Sequence, residues 1–99
     1  MLVDIKDSSL SNTDKITGAF LRQYYAVDTD TGAHLSRSYG RSKSGNGPKW
    51  FLILPLDGKL FDSRAGCERA TFRAWGLSEA IAVANEKLPK LLKRAANRK

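Results

Sequence analysis

Metal-binding and redox-active side chains are scarce in this 99-residue chain, which has one cysteine and one histidine. A structural zinc site needs about four Cys or His ligands, and Cys67 and His34 are too few to form one. Cys67 also lacks a second cysteine with which to form a disulfide, a pattern typical of cytosolic proteins. We therefore expect no metal, no cofactor and no disulfide within the chain.

Apolar runs long enough to cross a bilayer are also missing, because none approaches the roughly 20 residues required. The first residues, MLVDIKDSSLSN, have neither the cationic start nor the apolar centre of a signal peptide. These two absences predict a cytoplasmic protein that is not bound to a membrane.

Catalytic patterns are equally scarce. A nucleophilic site would need the lone His34 beside Cys67 or a serine, and a lone histidine on a strand is more often packed or at the surface. Asp57 and Asp62 flank a predicted turn, which such carboxylates commonly support. The segment GRSKSGNG (40–47) lacks the Gly-Lys-Ser/Thr ending and the following helix of a phosphate-binding loop. The sequence therefore predicts that the protein is not an enzyme.

Positive charge is what the chain has in abundance, with a formal net charge of +7. Residues 1–33 hold three basic and five acidic side chains, whereas residues 34–99 hold fourteen basic and five acidic ones. A positive surface of this kind favours a partner with a phosphate backbone. The alternative is that the charge serves solubility alone.

Composition and length indicate one soluble domain, with 41% hydrophobic and 27% charged residues. We expect residues 1–18 to form a flexible N-terminal arm and residues 19–99 to form one domain that ends in a basic tail. Alternating or branched apolar patterns predict strands, and an Asp57-Gly58 turn signal with KLFDS returning after it suggests a tight hairpin. The predicted strands cover residues 19–27, 33–39, 49–54 and 68–75.

Two faces are predicted for the strand ERATFRAW (68–75) from its alternation. Ala70, Phe72 and Ala74 point to one side, which we expect to be buried. The exposed side then carries Arg69, Thr71, Arg73 and Trp75, although Trp75 could instead pack under the helix that follows.

A long C-terminal helix is predicted after Gly76, with Ser78 as its cap and an apolar stripe at three- and four-residue spacing. Pro89 interrupts this pattern and predicts a kink or a restart near Leu88. The expected fold is α+β, with an antiparallel sheet of three to four strands packed against this one helix.

Nucleic-acid contacts are predicted from basic and aromatic residues in the loop, the strands and the tail. Arginine, lysine and an interleaved aromatic such as Tyr39 suit phosphate contact and base stacking, although Trp50 could equally belong to the core. The residues expected to contact nucleic acid are Arg37, Arg41, Lys43, Lys49, Trp50, Arg69, Arg73, Lys93 and Arg94.

Three stretches, YGRSKSGNGPKWFLIL, DGKLF and FRAWGLSEAIAVANEKL, lie between residues 39 and 88, about half the chain. Their order resembles that of the AP2-type DNA-binding domain, a family that includes plant transcription factors, phage homing-endonuclease modules and the arm-binding domains of tyrosine integrases. The resemblance implies a three-stranded sheet, backed by a helix, that enters the major groove. It also implies DNA-facing roles for Arg41 and Lys43 in the first strand and loop, Lys49 and Trp50 in the second strand, and Arg73 in the third.

The expected function is that of a small basic DNA-binding protein of phage or mobile-element type, which contacts duplex DNA through its loop and sheet. A second hypothesis is an inhibitor or adaptor that docks on an acidic surface of a host protein or nuclease complex, with KWFLILPL as the anchor. A homodimer through the same strand or helix is a related alternative. RNA is a third candidate partner, because charge and aromatic content do not distinguish RNA from DNA.

Overall fold

The structure, a computed structural model, describes residues 1–7, 24–37, 47–60 and 64–98. These residues form an antiparallel sheet and one helix, so the expected α+β class is confirmed. The spatial order of the strands follows the chain order from β1 to β5. The elements are β1 (Val3–Asp4), a 3-10 turn (Ile5–Asp7), β2 (Tyr24–Val27), β3 (His34–Arg37), β4 (Lys49–Pro55), β5 (Cys67–Arg73) and α1 (Leu77–Arg98).

The two longest strands, β4 and β5, form the centre of the fold. They pair in an unbroken register from Lys49 opposite Arg73 to Pro55 opposite Cys67. The predicted strands at 49–54 and 68–75 therefore match β4 and β5 closely. Branched and aromatic residues supply most of β4, and these fit the pleated, half-buried surface of a sheet.

The sheet has five strands rather than the three or four expected, because Val3 and Asp4 add a short edge strand to β2. The sequence placed these residues in a flexible arm. Leu2 is buried, its N–H donates to Asn85 Oδ1 at 2.8 Å, and Asn85 Nδ2 donates to its carbonyl at 3.3 Å. The first residues are thus tied to both the sheet and the helix, while residues 8–18 lie outside the described part of the chain.

Aspartate side chains support two turns, as is common for this residue. Between β2 and β3, Asp28 Oδ1 accepts the N–H of Asp30 at 3.1 Å and Asp28 Oδ2 accepts the Thr31 hydroxyl at 2.8 Å. After β4, Asp57 Oδ1 accepts the N–H of Lys59 at 3.0 Å. The expected return strand does not begin at Lys59 or Leu60, because the open side of β4 pairs with β5 instead.

The helix α1 runs without interruption through Pro89, so the expected restart near Leu88 is wrong, while the alternative, a kink, stays a prediction. Pro89 is exposed, whereas Leu88 and Leu91 on either side are buried in the core between helix and sheet. Ser78 is not the cap either. The helix begins at Leu77, and the Gly76 carbonyl accepts the N–H of Ala80 at 3.0 Å.

The core lies between α1 and the face of the sheet that α1 covers. Trp50 and Leu52 of β4 and Leu35 of β3 are its largest members on the sheet side. Small residues, Ala80 and Ala84, let the helix approach these bulky side chains closely. The helix thus covers one face of the sheet.

A candidate nucleic-acid interface on the open face of the sheet

The strand register divides the side chains of β4 and β5 between the two faces of the sheet, because residues directly opposite each other point to the same side. Trp50 and Leu52 face the helix together with their partners Phe72 and Ala70. Of the pairs that face away from the helix, three lie next to one another: Lys49 with Arg73, Phe51 with Thr71, and Ile53 with Arg69. We call the side chains of these last three pairs the open face.

The open face combines cations with a half-buried apolar centre. Lys49, Arg69 and Arg73 are exposed, while Phe51 and Ile53 are half-buried between them. The alternation in ERATFRAW predicted the β5 side of this surface correctly. The β4 side obeys the same period of two. Alternation is not visible in KWFLIL, however, because both faces of this strand carry apolar residues.

Lys49 and Arg73 lie opposite each other, an arrangement that repels like charges. Each is turned toward a different acceptor. The Lys49 Nζ atom lies 5.6 Å from the centroid of the Phe51 ring, and Arg73 Nη1 donates to the Gly47 carbonyl at 3.1 Å. No carboxylate within the described ranges forms a salt bridge with Lys49, Arg69 or Arg73.

Trp75 extends the open face beyond the end of β5. The N–H of Ala74 still donates to the Pro48 carbonyl at 3.2 Å and Ala74 is buried, so Trp75 points to the opposite side and is 65% exposed. Its indole lies against Gly47, since a Cβ atom on Gly47 would be 3.1 Å from the Trp75 Cδ2 atom. Packing of Trp75 under the helix, the alternative considered from the sequence, is wrong.

Trp50 does not belong to the nucleic-acid contacts, although the sequence analysis included it among them. It is only 2% exposed, and its indole N–H donates to the Ala74 carbonyl at 2.9 Å inside the core. Tyr25 packs edge-on against it with ring centroids 5.5 Å apart. Trp50 therefore holds β4 and β5 to the helix and has no surface with which to contact a ligand.

Arg37 is exposed but does not belong to the open face. It lies opposite Trp50 at the end of β3, and its Cζ atom is 6.0 Å from the centroid of the Trp50 ring. It therefore projects on the helix side of the sheet, where it covers the edge of the core.

Lys93 and Arg94 lie on yet another surface, the outer side of α1. The helix buries Leu91 and Ala95 against the sheet, and the two cations between them are exposed. Nearby, Arg98 forms a 2.8 Å salt bridge with Glu68. The structure thus brings together Lys49, Arg69 and Arg73 and separates them from Lys93 and Arg94.

Arg41 and Lys43, with Tyr39, lie outside the described residues, so their predicted contacts stay predictions. They precede Gly47 in the sequence, and Gly47 contacts both Arg73 and Trp75.

His34, the only histidine, is buried on the face of the sheet opposite the helix. Its Nδ1 atom lies 3.1 Å from the Gly32 carbonyl, and the Tyr24 ring meets it edge-on at 4.8 Å between centroids. Burial lowers the pKa of His34 from its ordinary value of 6.5, although the hydrogen bond to Gly32 opposes this shift. A neutral, enclosed histidine serves packing here rather than charge.

Three further features of the described part of the chain concern metal binding, clefts and membrane spans. Its titratable side chains include no group of three or more His, Cys, Asp or Glu that could hold a metal ion. A cleft of about 320 Å³ has a lining without titratable side chains: Thr31, Leu54, Pro55, Leu56, Gly58, Leu92, Ala95 and Ala96. Among residues 1–7, 24–37, 47–60 and 64–98, no helix has the length and apolar character needed to span a membrane.

Comparison with protein families, with curated proteins and with solved structures gives no match for this chain.

Proposed function

We propose that the protein binds DNA and that the open face of β4 and β5 contacts the phosphate backbone. One observation carries this proposal: Lys49, Arg69 and Arg73 lie on one exposed face of two paired strands, with no described carboxylate to neutralise them. Basic side chains supply most of the affinity of proteins for phosphate backbones. The net charge of +7 adds a long-range attraction to the same partner.

The strength of the salt dependence follows from the number of cations on the open face. Each neutralised phosphate releases bound counterions, so three contacts give a slope of log affinity against log salt of roughly −2 to −3. Contacts from Arg41, Lys43 or the helix would steepen this slope. A slope near zero would contradict phosphate binding altogether.

The first experiment is fluorescence anisotropy with a labelled 25-base-pair duplex and the matching 25-nucleotide single strand, each at several salt concentrations. We expect saturable binding that weakens as salt increases. Absence of binding to both probes at low salt would overturn the proposed function.

A pair of charge-matched double variants then locates the interface. Lys49→Gln with Arg69→Gln removes one lysine and one arginine from the open face, and Lys93→Gln with Arg94→Gln removes the same charges from the outer side of α1. We expect the first variant to lose roughly 10-fold or more in affinity at low salt and the second to lose less. Equal losses would show that net charge alone drives binding, and the assignment to the open face would be wrong.

A second candidate function, binding of an acidic protein, is favoured by the outer edge of β5. The N–H groups of Leu56 and Ala74 bond to the Gly66 and Pro48 carbonyls across the two strands. Because such bonds alternate along an antiparallel pair, the backbone groups of Arg69, Thr71 and Arg73 point away from β4. An extended acidic segment could add to this edge as a further strand.

A backbone substitution separates this candidate from DNA binding. Thr71→Pro removes an N–H that points away from β4, so it blocks strand addition and leaves the three cations in place. A protein retained from a nuclease-treated lysate by the parent chain, and lost with Thr71→Pro, would support an edge-binding partner. Retention that Thr71→Pro leaves unchanged would exclude the β5 edge as its binding site.

A further inference from the structure

We propose that Trp75 is a base-stacking residue and that the nucleic acid held on the open face is single-stranded. This inference rests on the proposed function and specifies its ligand. It starts from the large exposed area of the Trp75 indole at the end of a basic strand.

The Trp75 side chain is exposed, and its ring lies against Gly47 on one side. The backbone N–H of Trp75 donates to the Glu79 carboxylate at 3.0 Å, which fixes the backbone that carries the indole. Gly47 has a φ of +87°, and a Cβ atom at this position would lie 2.9 Å from the Ala74 carbonyl oxygen, so glycine is required there. The backbone of Trp75 is thus fixed by Glu79, and Gly47 supports the exposed indole on one side.

A structural role in capping the helix does not account for this exposure. A hydrophobic residue just before a helix cap commonly packs against the fourth residue of the helix. Here Gly76 occupies the cap position and the fourth residue is Ala80, which is fully buried by other contacts. Trp75 keeps 65% of its surface exposed, so it gains little from such packing.

Cations lie on the same side of the sheet as the indole. Arg73, two residues before Trp75, bonds through its guanidinium to the carbonyl of the same Gly47 that supports the indole. Lys49 lies directly opposite Arg73. A base stacked on Trp75 would thus bring its own phosphate close to two positive charges.

The stacking geometry favours a single strand over a duplex. In a duplex both faces of nearly every base are covered by neighbouring bases, whereas an unpaired base can place a face on an aromatic side chain. Half-buried Phe51, next to the Lys49–Arg73 pair, provides a second apolar surface along the same track. A basic track with aromatic surfaces is the usual form of a single-strand site.

Intrinsic fluorescence can test this contact, because the chain has two tryptophans in opposite environments. Trp50 is buried in the core, so quenching by a bound oligonucleotide reports on Trp75. We expect unlabelled dT15 to quench the emission in a saturable manner, and the Trp75→Phe variant to lose this quenching while it still binds dT15.

Affinity measurements on variants of Trp75 test the same contact. Trp75→Ala should weaken dT15 binding by roughly 10-fold or more, and it should change binding to the 25-base-pair duplex by less than about two-fold. Trp75→Phe should retain most of the affinity. Leu92→Ala, which removes another exposed hydrophobic side chain on the far side of the molecule, should leave dT15 binding unchanged.

Two results would overturn the inference while the proposed function stands: tighter binding of the duplex than of dT15, or unchanged dT15 affinity in Trp75→Ala. Binding of neither probe would instead overturn the proposed function. Circular dichroism of each variant shows whether a loss of affinity comes from unfolding.

Discussion

Gly32 and Gly58 face each other across the turn regions that follow β2 and β4, and both have positive φ angles. A Cβ atom on Gly32 would lie 2.3 Å from the Gly58 carbonyl oxygen, closer than any real contact. We therefore expect Gly32→Ala to lower the free energy of unfolding by about 3 kcal/mol or more, because backbone atoms must move. Chemical denaturation measures the loss.

Gly58→Ala is the matched control for this prediction. It carries the same unfavourable φ, but its Cβ atom would meet nothing closer than the Thr31 carbonyl oxygen at 3.7 Å. Its cost should stay near the strain alone, about 1–2 kcal/mol. Equal losses in the two variants would show that the close approach of the turns contributes nothing to stability.

Among the elements, α1 contains the clearest departure from local preference, which is Pro89 in its interior. Proline lacks an N–H to donate to the Asn85 carbonyl four residues earlier. Pro89 is exposed, so its replacement disturbs no packing. We expect Pro89→Ala to raise the free energy of unfolding by about 1–3 kcal/mol, measured by thermal or chemical denaturation.

Lys90→Ala serves as the comparison for Pro89→Ala, because it changes the next exposed position from one good helix former to another. A change of a few tenths of a kcal/mol is expected. No gain from Pro89→Ala would mean that the proline causes no loss of helix stability in this fold.

The elements also show how far the sequence could predict the fold. The alternation in ERATFRAW and the apolar run KWFLIL located β5 and β4 to within two residues at each end. The N-terminal strand could not be predicted in this way, because two residues have no measurable period. Val3 and Asp4 become a strand through pairing with β2 and through the bonds of Leu2 to Asn85, both of which are long-range contacts.

The continuity of the helix through Pro89 could not be predicted for a related reason. Local preference favours a break there, but Leu88, Leu91 and Ala95 continue the buried stripe across the proline. Burial of such side chains is worth roughly 1.5–3 kcal/mol each for the larger ones, which is comparable with the cost of one interior proline. Tertiary packing therefore decides the outcome.

At the scale of the whole molecule, the distribution of charge over separate surfaces could not be deduced from totals. Seventeen basic side chains give the net charge, but only the strand register shows that Lys49, Arg69 and Arg73 share one face. Arg37 was assigned to the same interface because of its position in the sequence. Its place opposite Trp50 puts it on the helix side.

The stability of the whole molecule should depend on pH through His34. Its pKa is lowered in the folded state, so the unfolded chain binds a proton more readily. Above the unfolded pKa of about 6.5, neutral His34 makes its full contribution to the free energy of unfolding. As the pH falls below that value, the unfolded chain takes up a proton first and this contribution decreases. The decrease ends below the folded pKa, where His34 is protonated in both states. The slope should not exceed about 1.4 kcal/mol per pH unit.

Denaturation at pH 5.5–7.5 measures this slope, since most carboxylates titrate at lower pH. His34→Asn keeps a donor for the Gly32 carbonyl and cannot titrate, so the slope should disappear in that variant. Leu91→Ala, which destabilises the core without changing a charge, should keep it. If His34→Asn showed the same slope as the parent protein, His34 would not be the source of the pH dependence of stability.

The bonds between Leu2 and Asn85 also bear on the order in which the chain acquires its fold. They join residues separated by 83 positions, and closing so long a loop costs more conformational entropy than closing a shorter one. Each strand from β1 to β5 pairs with its neighbour in sequence, whereas the bonds between Leu2 and Asn85 need both the sheet and the helix in place. We therefore expect the Leu2–Asn85 contact to be among the last parts of the fold to form.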